Sequence, residues 1–380
     1  MPQIAYVGKG TVNKLKEILQ KHNPINIFLV TGKFSFEKSG AKEALNPILK
    51  KYNLIHFYDF DPNPKLEDAK KGIKIFKENN CDFVIAVGGG SAIDTAKLIN
   101  IFAANDVGKP EDYVNGYEKI ENKGVPLVAI PTTSGSGSEA TRFASFNLGK
   151  IKSSLGTKLI IPNYAIVDSQ LTMSLPRYQT ACTGMDALAQ GIESYWSVYS
   201  TEKSKEYANE TIKIALNSLR EAVNNPTEES KEEMAKASYL SGKAINITMT
   251  TACHAISYPL TSYFNIPHGH AAALTLAKLL VYNSKVTEED VIDKRGVGYV
   301  KKTIQEIVDL FGVTSAEEAA DKIEELMKKI GLSTKLSEAG VKTEDEIEIV
   351  IKNGFNPARV KNNPRKVTEE ALRRILDEIR

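Results

Sequence analysis

The first 168 residues alternate two textures, and that alternation leaves few folds open. Short apolar runs rich in Ile and Val occur at INIFLV (25–30), IHFY (55–58), FVIAV (83–87), PLVAI (126–130) and AIVD (165–168). Helical patterns separate them near 10–21, 37–51, 66–79 and 91–104. A strand covered by helices on both faces reads as an unbroken apolar run, which is the signature of a parallel sheet. The chain therefore predicts an α/β N-terminal domain with a parallel sheet. FASF and KSSLG, within 143–156, predict a small hairpin after the core strands.

After about residue 170 the texture changes. Long helical patterns dominate at 178–198, 203–224, 229–248, 268–283, 298–311, 316–330 and 368–379, with no comparable strand run. This predicts an all-α C-terminal domain. The stretch SQLTMSLP marks the boundary and divides the chain into 1–172 and 173–380. A length of 380 residues suits two domains, each able to bury its own core.

Bulk properties narrow the function classes. A formal charge of +2 gives no reason to expect nucleic acid or an acidic membrane as a partner. The Lys-Lys and Glu-Glu doublets in 201–235 and 316–329 read as solvated helix faces. Three cysteines, Cys81, Cys182 and Cys253, stand far apart without CxxC spacing, which argues against a disulfide framework or structural zinc. The start, MPQIAYVGKG, lacks a basic and then apolar signal pattern, and no run approaches the roughly 18 apolar residues of a bilayer span. A cytoplasmic protein with small-molecule chemistry is the expectation.

AVGGGSAIDTAK (86–97) follows a predicted strand and opens a predicted helix. Glycines let the backbone approach a ligand closely, and the free N–H groups of a helix start favour an anion such as a pyrophosphate. A plain strand-to-helix turn would look similar, and the motif is not GxGxxG. It also follows the third or fourth strand instead of the first. A second small, polar segment, AIPTTSGSGSEAT (129–141), follows the next strand. Two such segments at neighbouring strand ends would form a crevice at the carboxyl edge of the sheet, where open α/β folds bind ligands.

GMDALAQGIE (184–193) sets Asp186 and Gln190 four residues apart, one above the other on a helix face. Alone, that pair is equally two polar groups on a wet surface. Of five histidines, His22 and His56 are isolated, whereas three fall within HAISYPLTSYFNIPHGH (254–270). His254 precedes a helical segment and His268 opens the next. Two such helices packed on the Asp186 helix would bring one carboxylate and two imidazoles onto a divalent ion.

GGGSAIDTAK, PTTSGSGSEAT, GMDALAQGIE and the His254/His268 pair resemble, in order and interval, the iron-dependent (group III) alcohol dehydrogenases over nearly the whole chain. The resemblance implies a dehydroquinate synthase-like fold: a nucleotide-binding domain followed by a metal-binding domain, with the metal in the cleft between them. It implies a nicotinamide-dependent dehydrogenase holding iron(II), with zinc or manganese as alternatives, and assembled as a homodimer. The family's ligands are an Asp, a His four residues later, and two His fourteen apart. Asp186, His254 and His268 match three of these, and Gln190 stands where the family usually has His. An amide oxygen is a weaker donor than imidazole but can coordinate such ions, so Gln190 is expected to face the metal.

Two further departures carry expectations. Many family members have a proton-relaying His where this chain has Tyr258; Tyr258 replaces it through its hydroxyl, or His270 takes the role, or Tyr258 only packs. The family often has an acid after the Thr that ends the second strand, repelling a 2′-phosphate. Here LVTGKFSF (29–36) has Gly32 followed by Lys33, which should tolerate or favour NADP(H) beside NAD(H). The remaining cofactor contacts implied are Asn63, Gly89, Gly90, Ser91, Thr132, Thr133, Ser136 and Lys152.

TTACHAISYPLTS with PHGHAAALTL looks like a narrower branch, the phosphonoacetaldehyde reductases, which implies interconversion of phosphonoacetaldehyde and 2-hydroxyethylphosphonate. A dianionic phosphonate demands cations. Arg142, Arg359, Lys361 and Arg365 are the candidates, although NPARVKNNPRK reads equally as a solvated loop. The rivals are a simple alcohol or aldehyde in the same site, a glycerol or glycerol-phosphate dehydrogenase, and a nucleotide-binding protein that has lost its metal.

Overall fold

The computed structural model describes residues 2–62, 64–105, 110–114, 119–149, 151–355 and 360–380. The chain forms two compact units, Met1–Leu175 and Pro176–Arg380.

The first unit contains strands β1 (Ile4–Val7), β2 (Asn26–Thr31), β3 (Asn53–Phe57), β4 (Phe83–Gly88), β5 (Leu127–Pro131), β6 (Phe143–Leu148), β7 (Ile151–Gly156) and β8 (Tyr164–Val167). Helices α1 (Lys14–His22), α2 (Ala41–Leu49), α3 (Leu66–Glu78) and α4 (Gly90–Ala104) connect the core strands. Six strands make one parallel sheet in the order β1-β8-β5-β4-β2-β3, and β6 and β7 form the antiparallel hairpin. Alternate residues of β2 feed opposite faces: Phe28 and Val30 enter one core, Ile27 and Leu29 the other. That double burial is why these strands read as continuous apolar runs.

The sheet order places β2, β4 and β5 side by side. Their carboxyl ends carry Gly32, the Gly88–Gly90 turn and the Thr132–Ser138 segment, so three segments distant in sequence meet at one edge. Gly32 N–H donates to Val87 O (3.3 Å) and Thr132 N–H to Gly88 O (3.0 Å), which ties the three loops together.

The second unit is helical: α5 (Arg177–Trp196), α6 (Glu202–Asn224), α7 (Glu228–Thr248), α8 (Ala252–Phe264), α9 (His268–Ser284), α10 (Val297–Leu310), α11 (Ala316–Lys329), α12 (Glu344–Gly354) and α13 (Glu369–Glu378). Capping boxes start several of them, Thr201 with Ser204 on α6 and Thr227 with Ser230 on α7. Helix α5 lies at the centre, buried almost all round from Thr180 to Trp196. Its Met185, Leu188, Ile192 and Trp196 join one core with α8 and α9. His254 lies in the first turn of α8 instead of ahead of it, because the helix already begins at Ala252. Asn265 then ends α8 in a left-handed conformation (φ 56°), and Pro267 precedes the start of α9 at His268. No described helix is long and apolar enough to cross a membrane.

Candidate functional site

In the first unit the two glycine-rich segments pack directly on each other. A Cβ on Gly90 would stand 2.9 Å from Ser136 Oγ and 3.1 Å from Ser136 Cβ, and one on Gly89 would stand 3.3 Å from Thr133 Cγ2. The lack of side chains there is what lets helix α4 start against the second loop. Thr132 Oγ1 and Ser134 Oγ are buried with no hydrogen-bond partner among the described residues. Two orphaned hydroxyls beside a bare helix start fit the phosphate and ribose groups of a dinucleotide.

A buried charge cluster holds this edge in shape. Lys97 Nζ, inside α4, reaches Ser138 O (2.6 Å), Thr141 O (3.0 Å) and Phe143 O (2.7 Å) as well as the Ser138 and Thr141 hydroxyls. Asp94 accepts from Ser145 N–H (2.9 Å) and from the Ser138 hydroxyl. Burial pushes the Asp94 carboxyl up, against the attraction of Lys97 and, more weakly, of Lys152. Ser91 O accepts from Thr95 Oγ1 (2.8 Å) in the first turn of α4. Lys33 Nζ lies 5.8 Å from the ring of the exposed Phe34. Asn63 lies outside the described residues.

In the second unit the three expected ligands converge. One ligand atom from each of Asp186, His254 and His268 lies within 4.8 Å of the others. Asp186 and His254 are buried, and His268 is partly so. His254 Nε2 is 3.3 Å from Asp186 Oδ1, and the two imidazole rings stand edge to face at 5.3 Å. One carboxylate and two imidazoles are a fitting donor set for a divalent transition ion. Gln190, one turn beyond Asp186 on the same buried face, accepts through Oε1 from Ser241 Oγ of α7 (2.9 Å). Tyr258 stacks its ring on His268 with centroids 5.8 Å apart and planes 20° from parallel.

Two residues in this site lie outside the expected set. Glu193, fully buried on α5, binds His254 Nδ1 with one oxygen. Its other oxygen accepts from Thr251 N–H (3.0 Å), Thr251 Oγ (2.7 Å) and Cys253 N–H (2.9 Å). Burial alone would push His254 down, but Glu193 and Asp186 together hold it up at about 9. Ser257 Oγ donates to His254 O (2.8 Å) and lies 3.2 Å from His268 Nδ1. The sequence signal for Glu193 was its place seven residues after Asp186, on the helix face that also carries Gln190.

Other expected residues have different surroundings. Burial lowers the His270 ring, whose Nε2 lies 2.8 Å from Ser333 O and whose Nδ1 lies 3.3 Å from Tyr178 Oη. Both nitrogens are thus engaged away from the ligand cluster's own bonds, as a strut between α5, α9 and the Ser333 turn. Arg365, a substrate candidate, is likewise spent on the fold: Nε donates to Asp290 Oδ2 (2.7 Å), one terminal nitrogen donates to Tyr282 O (2.7 Å), and the guanidinium stacks on the Tyr282 ring. The segment around it is a buried strap, not a solvated loop. Asn362 donates to Thr250 O (3.1 Å), and Asn363 pairs with Asn283 (2.8 Å). Lys361 is exposed, Arg142 lies over the Phe143 ring at 5.2 Å, and Arg359 lies outside the described residues.

Comparison with known proteins agrees with this arrangement. Residues 2–169 match the family described as iron-containing alcohol dehydrogenase, and residues 180–379 match the Fe-containing alcohol dehydrogenase family, C-terminal. Long-chain-alcohol dehydrogenase 1 of Geobacillus thermodenitrificans is 35% identical over 74% of this chain and 72% of that protein. Phosphonoacetaldehyde reductase of Streptomyces viridochromogenes is 34% identical over 78% of this chain and 76% of its own. The crystal structure of sulfoacetaldehyde reductase from Bifidobacterium kashiwanohense in complex with NAD+ superposes with a TM-score of 0.88 at 32% identity, covering 100% of this chain and 97% of that one. The chain belongs to the iron-containing alcohol dehydrogenase family.

Proposed function

We propose that this protein is a metal-dependent NAD(P)H oxidoreductase that interconverts phosphonoacetaldehyde and 2-hydroxyethylphosphonate. The observation that carries the metal chemistry is the convergence of Asp186, His254 and His268 within 4.8 Å. When bound, the divalent ion supplies Lewis-acid polarisation of a carbonyl oxygen and the reduced nicotinamide supplies hydride.

The chain's own residues do the rest. Asp186, His254, His268 and Gln190 would hold the ion, with Asp186 the one anionic donor among them. Gly89, Gly90, Ser91, Thr132, Thr133, Ser136 and Lys152 seat the dinucleotide, with Gly32 and Lys33 open to a 2′-phosphate. The product alcohol needs one proton at the former carbonyl oxygen. The Tyr258 hydroxyl or a water beside it delivers that proton, since Tyr258 lies against a ligand ring.

Support for the substrate comes from the relatives that reduce two-carbon aldehydes with an anionic head group, one phosphonate and one sulfonate, at 34% and 32% identity. Arg142 and Lys361 are the cations proposed to meet that head group. A simple alcohol is the second reading. Arg365 is committed to Asp290 and Tyr282, and a long-chain alcohol dehydrogenase is 35% identical. An anaerobic screen of NADPH and NADH against phosphonoacetaldehyde, sulfoacetaldehyde and unsubstituted aldehydes decides. A kcat/KM for plain aldehydes that equals or exceeds that for the phosphonate removes the substrate proposal.

A further inference from the structure

The two nitrogens of the His254 ring face different surroundings. Nε2 faces Asp186 Oδ1 at 3.3 Å and the His268 ring, the side on which the ligand atoms gather. Nδ1 faces Glu193 alone, on a side closed to solvent, for Glu193 is 0% exposed. An ionised carboxylate only accepts hydrogen bonds, so the ring must present N–H to it at Nδ1. Nε2 faces a carboxylate oxygen too, Asp186 Oδ1, so with no ion bound it also carries N–H. An ion taking Asp186 would displace that proton, while Nδ1 keeps its own on Glu193.

Glu193 is also fixed in place. Four donors reach its second oxygen: Thr251 N–H, Thr251 Oγ–H, Cys253 N–H and, at 3.4 Å, His254 N–H, from the N-cap and first turn of the helix that carries His254. The Thr251 hydroxyl is aimed in turn by Trp196 Nε1–H (2.9 Å), so its own proton goes to Glu193. A carboxylate gripped in this way cannot swing over to become a ligand. It can only orient the ligand beside it.

We propose that Glu193 is a positioning residue of the metal centre: it fixes His254 with the proton on Nδ1 and so commits Nε2 to the metal. The inference rests on reading Asp186, His254 and His268 as metal ligands. Partners of this kind are worth about 10–100-fold in metal affinity when removed from characterised sites.

Glu193→Gln tests it with little change in volume. The amide oxygen can still accept from the Thr251 and Cys253 N–H groups, but the amide nitrogen then faces Nδ1. The ring must accept there and carry its proton on Nε2, where the ion belongs. The readout is the dissociation constant for Co(II), measured by its visible absorption and by chelator competition on the whole protein, with His254→Ala and Thr251→Val alongside. The expected result is affinity weakened about 10–100-fold in Glu193→Gln, restored in part by Glu193→Asp, and weakened less in Thr251→Val, which removes one of the hydrogen bonds that fix Glu193 but keeps the carboxylate on His254. Wild-type affinity in Glu193→Gln, with metal lost in His254→Ala, overturns the inference and leaves the metal site standing. Metal retained in His254→Ala overturns the metal site itself. A second measurement needs no variant: nitrogen-15 shifts of labelled imidazoles in the zinc-loaded wild type should show His254 protonated at Nδ1 and metallated at Nε2. The reverse assignment overturns the proposal.

Discussion

Gly269 sits against the backbone of Cys182 so closely that a Cβ there would stand 2.0 Å from the Cys182 carbonyl oxygen. The same atom would be 2.7 Å from Asp186 Cβ. Helices α5 and α9 therefore cross at a point with room for hydrogen only, and the proposed ligands Asp186 and His268 lie beside it, one on each helix. Backbone cannot move aside as a flexible side chain can. Gly269→Ala is expected to spread the two helices, cost about 1–3 kcal/mol of stability as overpacking, and loosen metal binding along with it. Thermal unfolding of the metal-free protein and metal content after dialysis check the two effects separately. A variant with wild-type values of both would contradict the account.

Gln190 provides a second test at the same centre. Its oxygen already accepts from Ser241, which holds the side chain in the buried interior. Metal content after dialysis against a chelator should rank Gln190→His above wild type and wild type above Gln190→Ala. Imidazole is the stronger donor to ions of this class, and alanine leaves a position that water fills only in part. Turnover need not follow the same order, since a ligand of different length moves the ion. Equal retention in all three proteins would mean that Asp186, His254 and His268 bind without Gln190.

Gly32→Asp addresses cofactor preference. A carboxylate at this strand end should repel a ribose 2′-phosphate, so the ratio of kcat/KM for NADPH over NADH should fall. The structure adds a steric condition: a Cβ on Gly32 would stand 2.2 Å from Ser35 Oγ, so that short side chain must turn away. Gly32→Ala is therefore the proper control, since it carries the crowding without the charge. A ratio that falls equally in Gly32→Ala assigns the effect to crowding, and an unchanged ratio in Gly32→Asp places the 2′ position elsewhere.

The buried Glu139 predicts a pH effect on stability. Burial raises its carboxyl from 4.5 to about 7, against the weaker pull of Lys97, and its Oε1 has no partner among the described residues. The folded state thus binds the proton more tightly than the unfolded chain. Its contribution to stability is full below pH 4.5 and is lost as pH rises through about 7. The ionised form then costs the fold about 3 kcal/mol. Glu139→Gln mimics the protonated acid, so its melting temperature relative to wild type should be higher at pH 8 than at pH 5. A difference independent of pH would show that Glu139 does not titrate in this range.

The elements that position the site were legible where the pattern was strong and local. β4, β5 and α4 were readable because FVIAV, PLVAI and the glycines after them carry their own signals. β1 was not, since IAYV is a four-residue edge strand with partly exposed residues and no alternation to betray it. α12 was missed because EIEIVI alternates with period two and imitates a strand. The Thr343/Glu346 capping box was the overlooked cue. Asp186, His254 and His268 could be picked from residue type and spacing, and their convergence followed. The tie between Arg365 and Asp290 could not, for it joins positions 75 residues apart through tertiary packing alone. Glu193 lay within a motif already singled out, yet its partner His254 is 61 residues away, and the seven-residue spacing from Asp186 shows a shared helix face without showing what that face meets.

The bonds of Lys97 have a consequence for binding. A charge buried inside α4 would be costly alone, but its acceptors come from Ser138, Thr141 and Phe143, the far side of the second glycine-rich loop. These internal bonds bolt the loop to the helix that starts the proposed phosphate site. Association then requires little ordering of backbone, so the free energy of the contacts is kept as affinity and not spent on assembling the cradle. Lys97 touches no ligand in this account. It sets how preorganised the cradle is, and hence how little conformational entropy the loop must lose when a cofactor binds.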